Sequence, residues 1–316
     1  MICISLKSHD PFFNLAVDEY LLKNRKDDFF VTGINDKSII IGKHQVAHCE
    51  TDTKFVIGHN IPVIRRISGG GTVFHDRGNL NFSFIVNSES GKQVDFRKYT
   101  IPVIHFLSSI GVNAIFEGKN DLKVDGSKIS GNAEHVYHNR VLHHGTLLFD
   151  TDLDSLTGSI RKDTSRYSSH AVVSNSSTVV NIKTKLGKIS NINEFRSAMT
   201  NWFLKNLKDA EPYELTREET INIGALAESK YRTWEWNYAY GPEYQFSNSF
   251  KINGLPHTCR LMVKDGIIRE SNIEGSSVIE VAGRKLSGCR HMVSDMSVLL
   301  RKENSSITEN DIFNFF

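Results

Sequence analysis

Cysteine is scarce in this chain: four residues among 316, Cys3, Cys49, Cys259 and Cys289, with no paired short spacing between any two. That excludes a disulfide framework or a zinc knot and leaves free thiols in a reducing compartment as the expectation. An excess of charge of one sign is also missing. Lysine and arginine number 38 against 36 aspartate and glutamate, a net charge of +2, so no broad field draws the chain to nucleic acid or to a membrane surface. No run approaches the roughly 20 apolar residues needed to span a bilayer. The opening Met1-Ile2-Cys3-Ile4-Ser5-Leu6-Lys7 has neither the basic head nor the apolar stretch of a signal peptide. A cytoplasmic protein with no nucleic-acid or membrane partner is therefore expected. Internal repeats and low-complexity tracts are absent.

Hydrophobic residues make up 39% and charged residues 23%, an ordinary globular balance with material for a sizeable core. The length suits one large domain and a smaller one. Asp10-Pro11 ahead of Phe12 to Leu22 reads as a capped amphipathic helix, with Asp10 accepting from first-turn amides and Pro11 at the first helical position. Short β-branched and aromatic runs follow at Phe29–Gly33, Ser38–Gly42, Ile61–Arg66, Thr72–His75 and Leu80–Val86. Helix spacing occupies Val94 to Ile110 before Gly111, and again Ile192 to Leu207 and Arg217 to Tyr231. Between them, Asn113 to Phe149 reads as strands with turns at Asp125-Gly126 and His138-Asn139. After Trp234 come short strands with turns at Asn253-Gly254 and Asp265-Gly266, then helix. The pattern predicts an α+β chain with a mixed, largely antiparallel sheet flanked by helices. A change of texture divides it into a large domain over 1–245 and a small C-terminal α/β domain over 246–316.

Three segments carry candidate chemistry. In Arg65-Arg66-Ile67-Ser68-Gly69-Gly70-Gly71-Thr72-Val73-Phe74, three glycines in a row are entropically costly, and missing side chains let backbone amides approach a phosphate. Arg66 adds a planar donor set suited to the same group. A plain solvated hairpin is the competing reading, because glycine is an ordinary turn residue. In Asn120-Asp121-Leu122-Lys123-Val124-Asp125-Gly126-Ser127-Lys128, a hairpin would present Lys128 at the sheet surface. There it could screen a carboxylate from a phosphate as one attacks the other. Asn120 and Asp121 offer oxygens to a magnesium ion. Taken alone, this segment reads more simply as a hairpin with an exposed lysine. In Leu142-His143-His144-Gly145-Thr146, adjacent histidines on a strand face opposite sides, so a metal pair is excluded and one of them at most lines a cleft.

These segments, in this order, resemble the lipoate–protein ligase family. Gly42-Lys43-His44-Gln45, Gly78-Asn79-Leu80-Asn81-Phe82-Ser83-Phe84 and Trp234-Glu235-Trp236-Asn237-Tyr238 add further matches. The resemblance covers about residues 10–245 and implies a catalytic domain related to biotin–protein ligases. It implies that lipoate and ATP are joined, with magnesium, into lipoyl-AMP and pyrophosphate. The acyl group then passes to a lysine on a lipoyl domain of a 2-oxoacid dehydrogenase E2 subunit or on glycine-cleavage H protein, by an enzyme expected to be a monomer. By match of motif, Arg66, Gly71, Thr72, Val73, Phe74 and Lys128 are expected at the nucleotide. Ser68, Gly69, Gly70, Gly71, Lys128 and His144 are expected at lipoate. The dithiolane and its chain call for an apolar slot, for which Val73, Phe74, Phe82 and Phe84 are candidates.

One stretch departs from the family. Where a Ser-Val-Arg-Ser-like run is common, this chain reads Ala171-Val172-Val173-Ser174-Asn175-Ser176-Ser177-Thr178, with Val173 at an expected arginine. That keeps open a lipoyltransferase using preformed lipoyl-AMP, with Arg161, Lys162 or Arg166 as substitutes for the missing charge. An octanoyltransferase of the same superfamily would need a cysteine nucleophile. None lies between Ser68 and Phe149, and Cys49 reads better as a small buried residue.

Overall fold

The computed structural model describes residues 1–88, 94–175 and 177–316. The chain opens with β1 (Ile2–Ser5), α1 (Pro11–Asn24), β2 (Phe29–Ile34), β3 (Ser38–Ile41), α2 (Ala47–Glu50), α3 (Thr53–Gly58), β4 (Val63–Arg65), β5 (Val73–His75) and β6 (Asn79–Asn87). Its middle holds α4 (Phe96–Ser109), β7 (Ile115–Glu117), β8 (Asp121–Val124), β9 (Ser127–Tyr137), β10 (Arg140–Leu148), α5 (Leu153–Ser159) and β11 (Tyr167–Ser169). Then come α6 (Ile192–Asn206), β12 (Glu211–Pro212), α7 (Arg217–Leu226), β13 (Tyr244–Ile252), β14 (Leu255–Lys264), β15 (Ile267–Glu274), α8 (Ser277–Arg284), α9 (Val293–Glu303) and α10 (Glu309–Ile312).

Eight strands form the main sheet in the order β12-β1-β2-β6-β10-β9-β8-β7. Only β1 runs parallel to its neighbours β2 and β12; the other pairs are antiparallel. This is the mixed, largely antiparallel α+β sheet that the sequence predicts. Residues alternate faces along each strand. Phe30 and Phe84 therefore join α4 and α6 in one core with Val103, Phe106 and Phe203. Their neighbours Val31 and Ile85 join α1 in another, with Leu15, Leu21 and Leu22. A small sheet, β4-β3-β5, lies against the site.

The α1 cap forms as expected: the Asp10 side chain accepts from Phe12 N and Pro11 opens the helix. The helix is not simply amphipathic, however. Asn14, Asp18 and Glu19 are buried along with its apolar residues. Glu19 is held by Lys23, Lys230 and the Tyr231 hydroxyl at 2.6, 2.8 and 2.7 Å, which offsets the desolvation of its charge. The turns behave as their residues require. Asp125-Gly126, Asn253-Gly254 and Asp265-Gly266 all take paired positive φ values, the geometry of a tight hairpin.

The C-terminal sheet has the order β11-β13-β14-β15 and is antiparallel throughout. Its edge strand β11 comes from residues 167–169. Its core, built on Phe246, Leu261, Ile268 and Met296, also takes in Val46 and Cys49 from around α2.

Candidate functional site

Strand register gathers the site. Val31, Ser83, His144 and Ala133 stand in one cross-strand row, and Gly33, Asn81 and Thr146 in the next. Paired residues point to the same face, so both rows line one cavity of about 170 Å³. Leu6, Leu15, Ile40 and Val73 give its lining an apolar part, and Asn14, Asp18, Asn35 and His75 a polar part. Arg66 and Lys128 both face this cavity. Gly145 is required beneath it: a Cβ there would stand 2.2 Å from Asn132 Oδ1 and 2.6 Å from the Phe82 ring.

His144 is the histidine that faces inward. Its partner His143 lies on the other face, fully buried against Glu134 at 2.8 Å. Burial lowers the His143 pKa, and the Glu134 hydrogen bond opposes that shift. Arg66 Nε donates to Ser68 Oγ at 2.9 Å, so the Ser68 hydroxyl proton turns to His144 Nε2 at 2.6 Å. The ring proton is thereby assigned to Nδ1, which lies 3.4 Å from Asp18 Oδ2. Asp18 also accepts from Ser83 Oγ at 3.0 Å. A chain of polar contacts thus runs from Asp18 through His144 and Ser68 to Arg66.

Arg66 is buried, and its charge is solvated by the backbone. It donates to Ile40 O at 3.1 Å, Gly69 O at 2.5 Å and Gly71 O at 2.7 Å. Burial pulls its pKa down to about 10, with Glu50 acting in the opposite sense. The glycine-rich loop is therefore wrapped around a guanidinium. Gly70 takes φ +83°, and its carbonyl sits 2.1 Å from where a Cβ on Gly42 would be, so Gly42 must lack a side chain. Arg65 has a different task. Fully buried, it donates to the carbonyls of Gly42, Lys43, Gln45, Trp236 and Asn237 at 2.6–3.1 Å. It ties together two distant motif stretches, a role that sequence reading missed.

Lys128 lies on the β8–β9 hairpin as expected, its Nζ 2.9 Å from Asp121 Oδ1. A Cβ on Gly131 would come within 3.2 Å of Lys128 Cε and Nζ, so that glycine leaves room for the lysine. Asn120 and Asp121 both line the cavity. Asn120 exchanges hydrogen bonds with Asn132. Among the described residues no group of three or more His, Cys, Asp or Glu side chains clusters at metal-binding distance. The donors here are one carboxylate and one amide, a set that suits magnesium only when phosphate and water complete its shell.

Of the expected residues, Arg66, Gly71, Thr72, Val73, Asn120, Asp121, Lys128 and His144 line the cavity. Ser68 does not; it stands behind His144, fully buried. Gly69 and Gly70 also lie outside the lining, Gly70 at the surface. Phe74 points away into a core with Ile39, Ile41 and Val63, because alternation on β5 sends Val73 to the cavity and Phe74 behind it. Phe84 is likewise core, beside Tyr99. Of the four slot candidates Val73 and Phe82 do line the cavity, and Leu6, Leu15, Val31 and Ile40 add to its apolar wall. Val173 is half-exposed and outside the lining, whereas Ser174, Asn175 and Ser177 face inward; Ser176 lies outside the described residues. Arg161 donates to His48 O at 3.0 Å and packs on the Tyr167 ring, and neither it nor Lys162 or Arg166 lines the cavity. No cysteine lines it either, and burial pushes the Cys49 thiol up to about 11.

Asn14, Asp18, Asn35 and Glu50 went unread in the sequence, and Asn81 and Ser174 were noted only inside longer stretches, with no role of their own. Asn14 and Asp18 left a signal: two polar residues four apart within an apolar helix share one helical face.

The chain matches the family described as the lipoyl protein ligase A/B catalytic domain over residues 10–204. It is 37% identical over 313 residues to lipoate–protein ligase 1 of Staphylococcus aureus, covering 97% of this chain and 93% of that protein. Among solved structures it resembles a bipartite lipoate protein ligase of Thermoplasma acidophilum, described with its E2 lipoyl domain. There the TM-score is 0.64 and the identity 27%, over 74% of this chain and 94% of that one. A lipoate–protein ligase A bound with ATP gives a TM-score of 0.62 at 28% identity, over 74% and 97% of the two chains.

Proposed function

The chain belongs to the lipoate–protein ligase family, and from that premise we propose that it is an ATP-dependent ligase that makes lipoyl-AMP and passes the lipoyl group to a lysine of an acceptor protein. The acceptors are lipoyl domains of 2-oxoacid dehydrogenase E2 subunits or glycine-cleavage H protein. The enzyme works as a monomer in the cytoplasm; no helix among the described residues is long and apolar enough to cross a membrane. Residues 1–245 carry the catalysis and 246–316 form the accessory unit. The supporting observation is that Arg66, Gly71 and Lys128 line one cavity whose lining also includes Leu6, Leu15, Val31 and Ile40.

The chemistry follows from charge. A free carboxylate is a poor acyl donor because oxide would have to leave. In the first step a lipoate oxygen attacks the α-phosphorus of ATP, and pyrophosphate departs with the electron pair of the broken P–O bond. In the second, the neutral amine of the acceptor lysine attacks the acyl carbonyl and AMP leaves. Two anions must meet in the first step. The Lys128 ammonium lowers that repulsion, as preorganised charge does at a transition state. Arg66 contributes its charge at the cavity wall while holding the Gly69 and Gly71 carbonyls. Thr72 and Val73 border the nucleotide, and Gly71 allows its close approach. His144 faces the acyl chain. Asn120 and Asp121 would hold a magnesium ion, which when bound screens phosphate charge.

The test supplies lipoate, ATP and magnesium without acceptor and measures pyrophosphate. Release, followed by a mass gain on an acceptor lysine, is expected. Transfer from synthetic lipoyl-AMP with no pyrophosphate release would select the transferase reading instead. Cys49→Ser should retain activity, since a buried thiol outside the cavity cannot serve as nucleophile.

A further inference from the structure

Glu50 is a buried carboxylate on which Arg66 acts only at longer range than an ion pair. It is 2% exposed, and no lysine, arginine or histidine stands at ion-pair distance among the described residues. Burying an unpaired charge is costly unless hydrogen bonds replace its water, so the groups that do so identify its task. Three donors reach its side chain: the Ser174 hydroxyl, Ser174 N at 3.2 Å and the Thr72 hydroxyl at 3.0 Å. Ser174 Oγ in turn accepts from Thr72 N at 2.8 Å and from Gln45 Nε2 at 3.1 Å. Gln45 Oε1 accepts from Gly42 N at 2.7 Å, closing the network under the glycine-rich loop.

Thr72 and Ser174 line the cavity and Glu50 does not, so Glu50 acts through them. The segment carrying Ser174 is fixed at a second point. Lys128 N donates to Thr178 O at 2.8 Å, and Val180 N donates to Lys128 O at 3.0 Å. Ser174 is thus bonded to the glycine-rich loop, and Thr178 to the lysine hairpin. Glu50 itself is held from behind. Its four-residue helix α2 also carries His48, which donates from Nε2 to His291 O at 2.7 Å, and Cys49, which packs in the C-terminal core.

We propose that Glu50 is a positioning residue whose carboxylate latches Ser174 onto the glycine-rich loop at Thr72, setting both against the nucleotide during lipoyl-AMP formation. This rests on the ligase reading, so one arm of the test does not depend on activity. In that arm, hydrogen–deuterium exchange of the peptide spanning 171–178 is compared between wild type and Glu50→Gln. An amide presents its own N–H groups where three donors converge, so one of them loses its acceptor and the loop exchanges faster. Equal exchange would overturn the latch.

In the other arm, the KM for ATP in pyrophosphate release is measured for Glu50→Gln, Ser174→Ala and the double variant. A hydrogen bond to a charged group is strong enough that each single change should raise KM about tenfold, with kcat changed much less. The double variant should lose much less than the product of the two singles, because the bond between the Ser174 hydroxyl and Glu50 is common to both. Multiplicative losses, an unchanged KM or a lowered KM would each refute the positioning role. If wild type releases no pyrophosphate, the ligase reading fails and the exchange arm alone decides the latch. Should Glu50→Gln not fold, Thr72→Val and Ser174→Ala carry the same comparison.

Discussion

The two large sheets are buried by different rules. In the C-terminal sheet, β14 alternates: His257, Cys259, Leu261 and Val263 are buried, Thr258 and Arg260 are exposed, and Met262 is half-buried. The central strand β10 of the main sheet is buried along nearly its whole length, yet carries His143, His144 and Thr146 there. Helices cover both faces of that strand, so alternation of hydrophobic and polar residues is no longer required by solvent. What takes its place is a row of hydrogen-bonding side chains facing a cavity. A sheet that only supports can be built from apolar residues, whereas a sheet that binds must bury polar groups and satisfy them. Function and stability therefore separate by region.

Substitution at either place should expose that separation. Lys128→Ala should lower the rate of lipoyl-AMP formation by about 10²- to 10³-fold, the range typical of losing one preorganised stabilising group at a transition state. Its melting temperature should stay close to wild type, because the side chain is partly exposed. A near-normal rate would remove Lys128 from the mechanism. The mirror experiment is Leu261→Ala, a fully buried side chain in the C-terminal core. It should cost about 2–5 kcal/mol in denaturant unfolding. Adenylation by the protein that remains folded should stay within a few-fold of wild type.

The same contrast governs how much the sequence revealed. Periodicity and turn chemistry located most elements, since Asp125-Gly126 or Asp10-Pro11 act locally. The Arg66 and Lys128 segments announced themselves because glycine runs and charged hairpins are unusual. Partners across the fold were not legible. Nothing near Glu50 in sequence signals that it meets Ser174 across 124 positions. Phe74 was placed at the nucleotide by motif, but strand alternation sends it to the core. Ser68 was placed against lipoate, whereas its hydroxyl is engaged one layer behind by Arg66 and His144. Motifs mark which stretch approaches a ligand; register decides which residues of that stretch touch it.

Acid should separate the regions again. His291 is buried at the contact between α2 and the C-terminal unit, its Nε2 bonded to Phe315 O and its Nδ1 to the Tyr244 hydroxyl. Burial pulls its pKa down to about 4 from 6.5. Between those values the unfolded chain binds a proton that the folded chain refuses. Stability is thus highest above about pH 6.5 and falls as pH drops toward 4, by up to about 3 kcal/mol from this group. His48 is shifted the same way, burial being the main cause. Denaturant unfolding of wild type at pH 7 and pH 5, repeated with His291→Gln, measures it. The variant should lose part of the pH dependence; an unchanged slope would show that the titration lies elsewhere.

The smallest expected effect lies at the inner wall of the cavity. Asp18→Asn keeps the side-chain shape but removes the charge that faces His144 Nδ1 and accepts from Ser83. If its amide N–H turns toward the ring, His144 must accept there and carry its proton on Nε2. Ser68 Oγ would then receive donors from both His144 and Arg66, and its own proton would need a new partner. The chain from Asp18 to Arg66 would be disturbed while Lys128 stayed in place. The expected result is a rise of about three- to tenfold in the KM for lipoate, the scale of one altered hydrogen bond, with kcat and the KM for ATP little changed. A comparable rise in both KM values would mean that the variant deforms the cavity as a whole. No rise at all would mean that the polar row of the main sheet supports the fold without reading the acyl group, and the contrast with the C-terminal sheet would then not extend to substrate binding.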